Sequence, residues 1–63
     1  MTNLKKIRKE RGLTQNELAE ISGVSRISIV RYESGIVVPG GINLVKLAEA
    51  LQCPAEVLIK KAG

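Results

Sequence analysis

Residues 14–35 read TQNELAEISGVSRISIVRYESG, and this stretch decides the fold of the chain. Leu18, Ala19 and Ile21 give its first half an apolar side, and Ile29 is the expected core contact of its second half. Gly23 stands between the halves, where the absence of a Cβ atom allows the positive φ that a sharp turn needs. The stretch therefore predicts two short helices joined by a tight turn.

The ends of these two helices carry capping signals. The Thr14 hydroxyl can accept a hydrogen bond from the backbone N–H of Glu17, while the Glu17 carboxylate can reach back to the N–H of Thr14. Ser25 is a good N-cap for the second helix, which is predicted to run to about Glu33. Gly35 then ends that helix, since glycine readily takes the left-handed conformation of a C-cap.

Three more helices complete the predicted fold. The first helix is predicted over residues 2–11. In the fourth, which Gly40 caps, the apolar residues that recur at helical spacing are Leu44, Leu47, Ala48 and Leu51. The fifth is predicted over residues 55–61, with Pro54 suited to its first position and Val57 and Leu58 turned inward. The expected fold class is all-α, a compact bundle of five short helices that forms a single domain over residues 1–63.

Composition restricts the class of function. The net charge of +4 and the sequence pI of about 9.7 favour an anionic partner. The chain has no His and no Asp, its Glu residues are dispersed, and its single cysteine, Cys53, cannot form an internal disulfide. No catalytic, metal-ligating or cofactor-binding spacing appears. We therefore expect a cytoplasmic protein that is not an enzyme and has no cofactor, metal, membrane segment or evident small-molecule effector.

Two helices around a tight turn form a helix-turn-helix, a motif whose second helix enters the DNA major groove. With Ile29 in the core, the residues left on the outer side of that helix are Arg26, Ile27, Val30 and Arg31. An arginine can donate two hydrogen bonds to O6 and N7 of guanine, and apolar side chains can contact the methyl group of thymine. The second helix is therefore predicted to read bases.

The first turn of the preceding helix is the predicted phosphate contact. A helix N-terminus presents free backbone N–H groups to anions, and the Gln15 amide lies beside them. The residues predicted to contact double-stranded DNA are Thr14, Gln15, Asn16, Ser25, Arg26, Ile27, Val30 and Arg31.

Most of the chain, residues 4–59, resembles the lambda-repressor-like helix-turn-helix family, also called the XRE family. The residues that fit the family pattern without a gap are Arg8, Gly12, Leu13, Thr14, Gln15, Leu18, Ala19, Gly23, Val24, Ser25, Ile29, Glu33, Gly35 and Pro39. The resemblance implies a transcriptional regulator that binds a two-fold symmetric operator as a dimer. It also implies an internal ion pair between Arg8 and Glu33.

The family assigns roles to several positions of the motif. The position matching Gln15 touches a phosphate, those matching Arg26, Ile27 and Arg31 read bases, and the one matching Val30 lies near them. The chain departs from the family pattern in three places: apolar residues replace polar ones at Ile27 and Val30, a polar or basic loop is replaced by Ile36, Val37 and Val38, and Gly40 replaces a Ser or Thr cap.

The loop residues Ile36, Val37 and Val38 allow two interpretations. Either they fold back onto the core, or they stay exposed as the contact between two copies of a homodimer. Because no residue follows position 63, we expect any dimer to form through this domain itself. Tyr32 is expected to be half-buried, with its hydroxyl in water.

The function that the sequence favours is a sequence-specific regulator, most simply a repressor that binds an inverted-repeat operator as a dimer. Two alternatives stay open. One is a protein-interaction module on the same fold with little DNA specificity, for which the exposed apolar residues are the support. The other is a protein that coats DNA without sequence preference.

Overall fold

A computed structural model of the chain describes residues 3–59. It contains five α-helices, which we number in chain order as α1 Leu4–Glu10, α2 Gln15–Ser22, α3 Arg26–Ser34, α4 Gly41–Leu51 and α5 Ala55–Ile59. The described residues include no β-strand, and the predicted all-α bundle is confirmed. Helix α2 packs against both α3 and α4, α4 packs against α5, and α1 lies against α3 and α5.

Helix α2 begins with the predicted capping box. Thr14 Oγ1 accepts a hydrogen bond from the Glu17 N–H at 3.1 Å, and Glu17 Oε1 accepts one from the Thr14 N–H at 2.8 Å. These bonds satisfy two backbone donors that have no partner within the helix. The start of α2 is therefore fixed by residues that lie within one helical turn of each other.

The turn between α2 and α3 depends on Gly23. Its φ of 75° lies in the left-handed region, and its N–H donates to the Ala19 carbonyl at 3.0 Å. A Cβ atom at this position would meet nothing within 4 Å, so the requirement for glycine is conformational and not steric. Val24 then packs into the core, and the Ser25 side chain caps α3 as predicted.

Helix boundaries differ from the prediction by about one residue. Helix α1 ends at Glu10, with Arg11 as its C-cap, and α5 begins at Ala55, directly after Pro54. The predicted start of the first helix at residue 2 and the predicted end of the fifth at residue 61 lie outside the described residues. Gln52, which ends α4, has a φ of 55°, and no signal in the sequence predicts a left-handed residue there.

The core is aliphatic, as the composition predicts. Its fully buried side chains, at least one from every helix, are Leu4, Leu18, Ile29, Leu47, Leu51 and Leu58. The expectation for Tyr32 is wrong, because its ring is buried on the same side of α3 as Ile29. Its hydroxyl is not left to water, since it accepts a hydrogen bond from Asn43 Nδ2 of α4 at 3.0 Å.

Two sets of hydrogen bonds join residues far apart in the sequence. The Asn3 N–H donates to the Leu58 carbonyl at 3.0 Å, and Asn3 Nδ2 donates to the Val57 carbonyl at 3.1 Å. Arg11 Nε donates to the Leu51 carbonyl at 2.9 Å, at the C-terminal end of α4. The accepting carbonyl groups lie in the last turns of α4 and α5, where the helix itself supplies no N–H group to bond them. They fasten both ends of α1 to the second half of the chain.

Candidate nucleic-acid interface

The outer surface of α3 carries the four residues predicted to read bases. Arg26, Ile27, Val30 and Arg31 are all exposed, whereas Ile29 is fully buried. Because an α-helix turns about 100° per residue, the two arginines lie about 140° apart around the helix axis, and the two apolar residues lie between them. Ile27 exposes 67% of its surface and Val30 exposes 41%. We call these four residues the α3 seam.

Ser25, at the start of α3, uses its hydroxyl within the protein. Ser25 Oγ accepts a hydrogen bond from the Ser28 N–H at 3.2 Å and donates one to Ser28 Oγ at 2.9 Å. The residue is exposed beside the α3 seam. Its single hydroxyl hydrogen is already donated in this conformation and is not directed to a partner outside the protein.

The first turn of α2 places the predicted phosphate-contacting residues at or near the surface. Thr14 and Asn16 are exposed, and Gln15 is half-buried. Gln15 Nε2 donates a hydrogen bond to Glu33 Oε1 at 3.1 Å, a partner that no signal in the sequence of α2 indicates. Because a primary amide carries two N–H groups, this bond leaves the second one for another acceptor.

Arg8 and Glu33 form the ion pair that the family resemblance implies. Arg8 Nε lies 2.6 Å from Glu33 Oε2, and Arg8 Nη2 donates to Glu33 Oε1 at 3.1 Å. The two side chains are only 9% and 5% exposed. Arg8 Nη1 also donates to the Leu13 carbonyl at 2.7 Å. Since Gln15 bonds to the same carboxylate, Glu33 connects α1, the start of α2 and the end of α3.

Several exposed basic residues lie outside this network. On α1 and at its C-cap they are Lys5, Lys6, Lys9 and Arg11. Near Arg11 lies Cys53, and burial raises the pKa of its thiol above the ordinary value while the positive charge of Arg11 opposes that rise. The thiol is therefore protonated near neutral pH and is a poor nucleophile.

Residues 3–59 contain no cluster of His, Cys, Asp and Glu placed to hold a metal ion. None of the helices in the same range has the length and apolar character needed to cross a membrane.

The three apolar side chains at the start of the loop between α3 and α4 are exposed, although Pro39 of the same loop is buried. The interpretation that these three residues fold back onto the core is therefore wrong. Ile36, Val37 and Val38 all leave at least two fifths of their surface exposed. Ile42 and Val45 of α4, for which the sequence led to no prediction, are also exposed. Because they are three residues apart, both lie on the side of α4 opposite its core residues. This spacing could have indicated their exposure from the sequence. We call these five residues the apolar surface.

A family model described as Helix-turn-helix matches residues 4–58. The chain is 51% identical over 61 residues to the HTH-type transcriptional repressor RghR of Bacillus subtilis, an alignment that covers 95% of this chain and 45% of that protein. It is 38% identical over 53 residues to the repressor protein C2 of Salmonella phage P22, covering 84% of this chain and 24% of that protein.

A third relative is an uncharacterized HTH-type transcriptional regulator of Methanothermobacter thermautotrophicus, which is 46% identical over 50 residues, covering 79% of this chain and 72% of that protein. The chain thus spans less than half the length of the first two relatives. The family match extends from the first residue of α1 to Leu58 in α5 and so includes the whole helix-turn-helix. The chain belongs to the XRE-type helix-turn-helix family of DNA-binding transcription regulators, which is not an enzyme family.

Proposed function

We propose that the protein is a sequence-specific regulator that represses transcription by occupying an inverted-repeat operator as a dimer. The observation that supports this proposal most strongly is the α3 seam. Two arginines, which can each recognise guanine, flank two exposed apolar side chains on the helix that follows the turn. A surface of this kind combines the two chemistries that the edges of base pairs offer in the major groove.

In the proposed complex, α3 enters the major groove and the first turn of α2 faces the phosphate backbone. Arg26 and Arg31 contact guanines, and Ile27 and Val30 contact thymine methyl groups. Thr14 and Asn16 approach phosphates beside the N-terminal N–H groups of α2. Gln15 adds a phosphate contact through its second amide N–H, while Glu33 holds the first. Ser25 approaches the backbone from the start of α3.

The proposed dimer places two copies of α3 in successive major grooves, about 34 Å apart on one face of the duplex. The apolar surface formed by Ile36, Val37, Val38, Ile42 and Val45 is the proposed contact between the copies, because exposed apolar side chains of this kind mark contacts between proteins. Repression is proposed because two of the relatives are named repressors, and an occupied promoter excludes other proteins.

The proposal is tested by comparing Arg31→Ala with Gln15→Ala on a preferred duplex and on unrelated duplexes. Arg31→Ala should cost about 1–3 kcal/mol on the preferred duplex and relax the choice of one base pair, because a bidentate base contact is lost. Gln15→Ala should weaken binding to all sequences alike. Lys46→Ala, an exposed basic residue of α4, is the matched control and should retain the sequence preference.

Either of two outcomes would contradict these assignments. An equal loss on all sequences for Arg31→Ala would assign Arg31 to the phosphate backbone. A changed sequence preference for Gln15→Ala would remove Gln15 from the phosphate contacts. Circular dichroism of each variant establishes that the helices are retained before binding is compared.

A second candidate function is a protein-interaction module with little DNA specificity. The exposure of Ile36, Val37 and Val38 favours it, since apolar patches of this kind mark contacts with other proteins. Its binding would depend on apolar contact and would not weaken steeply as salt is added, in contrast to the release of counterions from DNA.

A further inference from the structure

We infer that the α3 seam recognises the C5-methyl group of a pyrimidine in the major groove whether the base is thymine or 5-methylcytosine, so that DNA binding responds to cytosine methylation. This inference rests on the proposed function of the seam as a reader of the major groove. It adds a chemical class of ligand, the methylated cytosine·guanine pair, to the thymine contacts proposed above.

The first support is the position of the apolar residues within the seam. Ile27 and Val30 lie about 100° and 40° around the helix from Arg26, between the two arginines. They expose 67% and 41% of their surfaces, so they face whatever lies against the centre of the seam. The apolar group that the edges of base pairs present in the major groove is the C5-methyl group of thymine, and 5-methylcytosine carries a methyl group at the same ring position.

The second support is the chemistry of the two side chains at the centre of the seam. Thymine and 5-methylcytosine differ at ring position 4, where thymine has an acceptor oxygen and 5-methylcytosine has an amino donor. The side chains of Ile27 and Val30 carry no hydrogen-bonding group, so their contact with the methyl group does not depend on which of the two groups stands at position 4. The centre of the seam therefore senses the methyl group on either base.

The third support is the base that pairs with 5-methylcytosine. Guanine offers the O6 and N7 acceptors that an arginine binds with two hydrogen bonds. A 5-methylcytosine·guanine pair thus presents a methyl group on one strand and two arginine acceptors on the other. The seam carries both matching chemistries side by side, since Arg26 and Arg31 border Ile27 and Val30. An unmethylated cytosine·guanine pair satisfies only the arginine.

The test compares four duplexes that differ at one pyrimidine of a preferred site, which holds thymine, uracil, cytosine or 5-methylcytosine. Each pyrimidine of the half-site is examined in turn. At the position facing Ile27 and Val30, uracil should bind about fourfold more weakly than thymine, and 5-methylcytosine should bind about fourfold more tightly than cytosine. Both changes correspond to the burial of one methyl group.

Matched variants assign the effect to the seam. Ile27→Ala, or the double variant with Val30→Ala, should remove the difference between methylated and unmethylated duplexes. Ile21→Ala is the control, because Ile21 is an isoleucine of α2 that is 57% exposed and lies outside the seam. This control should retain the fourfold differences. Circular dichroism of each variant shows that a lost methyl effect is not a loss of helix.

The outcomes separate this inference from the proposed function on which it rests. Equal affinity with and without the methyl group at every position, in a site still preferred over a scrambled duplex, would overturn the inference alone. A methyl effect that persists in both Ile27→Ala and the double variant would also overturn it. Equal affinity for the preferred site and a scrambled duplex would overturn the proposed function and the inference with it.

Discussion

At the scale of single residues, Glu33 links three helices through one carboxylate. Its carboxylate accepts hydrogen bonds from Arg8 of α1 and Gln15 of α2. The pair with Arg8 was predictable from the family resemblance. The bond from Gln15 was not, because it joins residues 18 positions apart and depends on how α2 packs against α3.

Replacing Glu33 by Ala should lower the free energy of unfolding by roughly 3–5 kcal/mol, because Arg8 would be left buried without its partner. The loss is comparable with the whole stability of many small domains, so part of the sample should be unfolded in water. Urea denaturation followed by circular dichroism measures it. Glu20→Ala, at an exposed acid of α2, is the control and should change stability by less than about 0.5 kcal/mol. A loss below about 1 kcal/mol for Glu33→Ala would show that the pair is not important for stability.

Cys53 should react slowly with iodoacetamide in the folded protein. Because burial raises the pKa of its thiol, less thiolate is present at a given pH than in the unfolded chain. Because the pKa of the Cys53 thiol is higher in the folded than in the unfolded protein, the thiol contributes to the free energy of unfolding at pH values below its pKa in the unfolded chain. This contribution is lost as the pH rises through its pKa in the folded protein. Rates measured from pH 7 to 10, with and without urea, test this expectation. Equal rates in both conditions would contradict it.

At the scale of elements, the helix-turn-helix follows from local chemistry, which is why it could be predicted. Thr14, Glu17, Gly23 and Ser25 act on backbone groups within a few residues of themselves. The left-handed residue that ends α4, Gln52, had no such signal, since glutamine has no preference for that conformation. Bonds between distant elements, such as Asn3 to Val57, depend on the completed fold and could not be read from a local pattern.

Gly23→Ala should lower the free energy of unfolding by about 1–2 kcal/mol, the cost of placing a Cβ atom in the left-handed region. No neighbouring atom would be displaced, so the helices should keep their arrangement. Thermal and urea unfolding measure the change. Gly40→Ser is the control at a glycine with an extended φ of −147°, where the added hydroxyl can cap α4 and should stabilise by a few tenths of a kcal/mol. An unchanged stability for Gly23→Ala would contradict the conformational explanation of the turn.

At the scale of the whole molecule, the composition predicted an aliphatic helical bundle with a basic surface, and the structure has that core. Whether the apolar side chains around Val37 are buried or exposed could not be predicted, because an apolar stretch is equally consistent with a core contact and an exposed surface. Exposure in the structure decided between them. The α3 seam was predictable because the helical period separates it from Ile29. The exposure of Ile42 and Val45 was not predicted, because the apolar repeat of α4 was interpreted only as a core-facing pattern.

Binding to DNA should weaken steeply as salt rises. Each phosphate neutralised by a basic side chain contributes about −0.9 to the slope of log affinity against log salt concentration. Fluorescence anisotropy with a labelled duplex across a salt series measures that slope. A variant with Ile36→Ser and Val38→Ser should keep the slope per protomer while weakening association between copies, which analytical ultracentrifugation measures. A flat salt dependence would favour the protein-interaction module.

The central claim is that the α3 seam selects a DNA sequence. It is tested most directly by selecting bound duplexes from a random DNA pool at near-physiological salt and sequencing them. We predict enrichment of an inverted repeat whose half-sites lie about one helical turn apart. A folded protein that enriched no sequence would contradict the claim, and the exposed apolar residues would then be examined as a binding site for another protein.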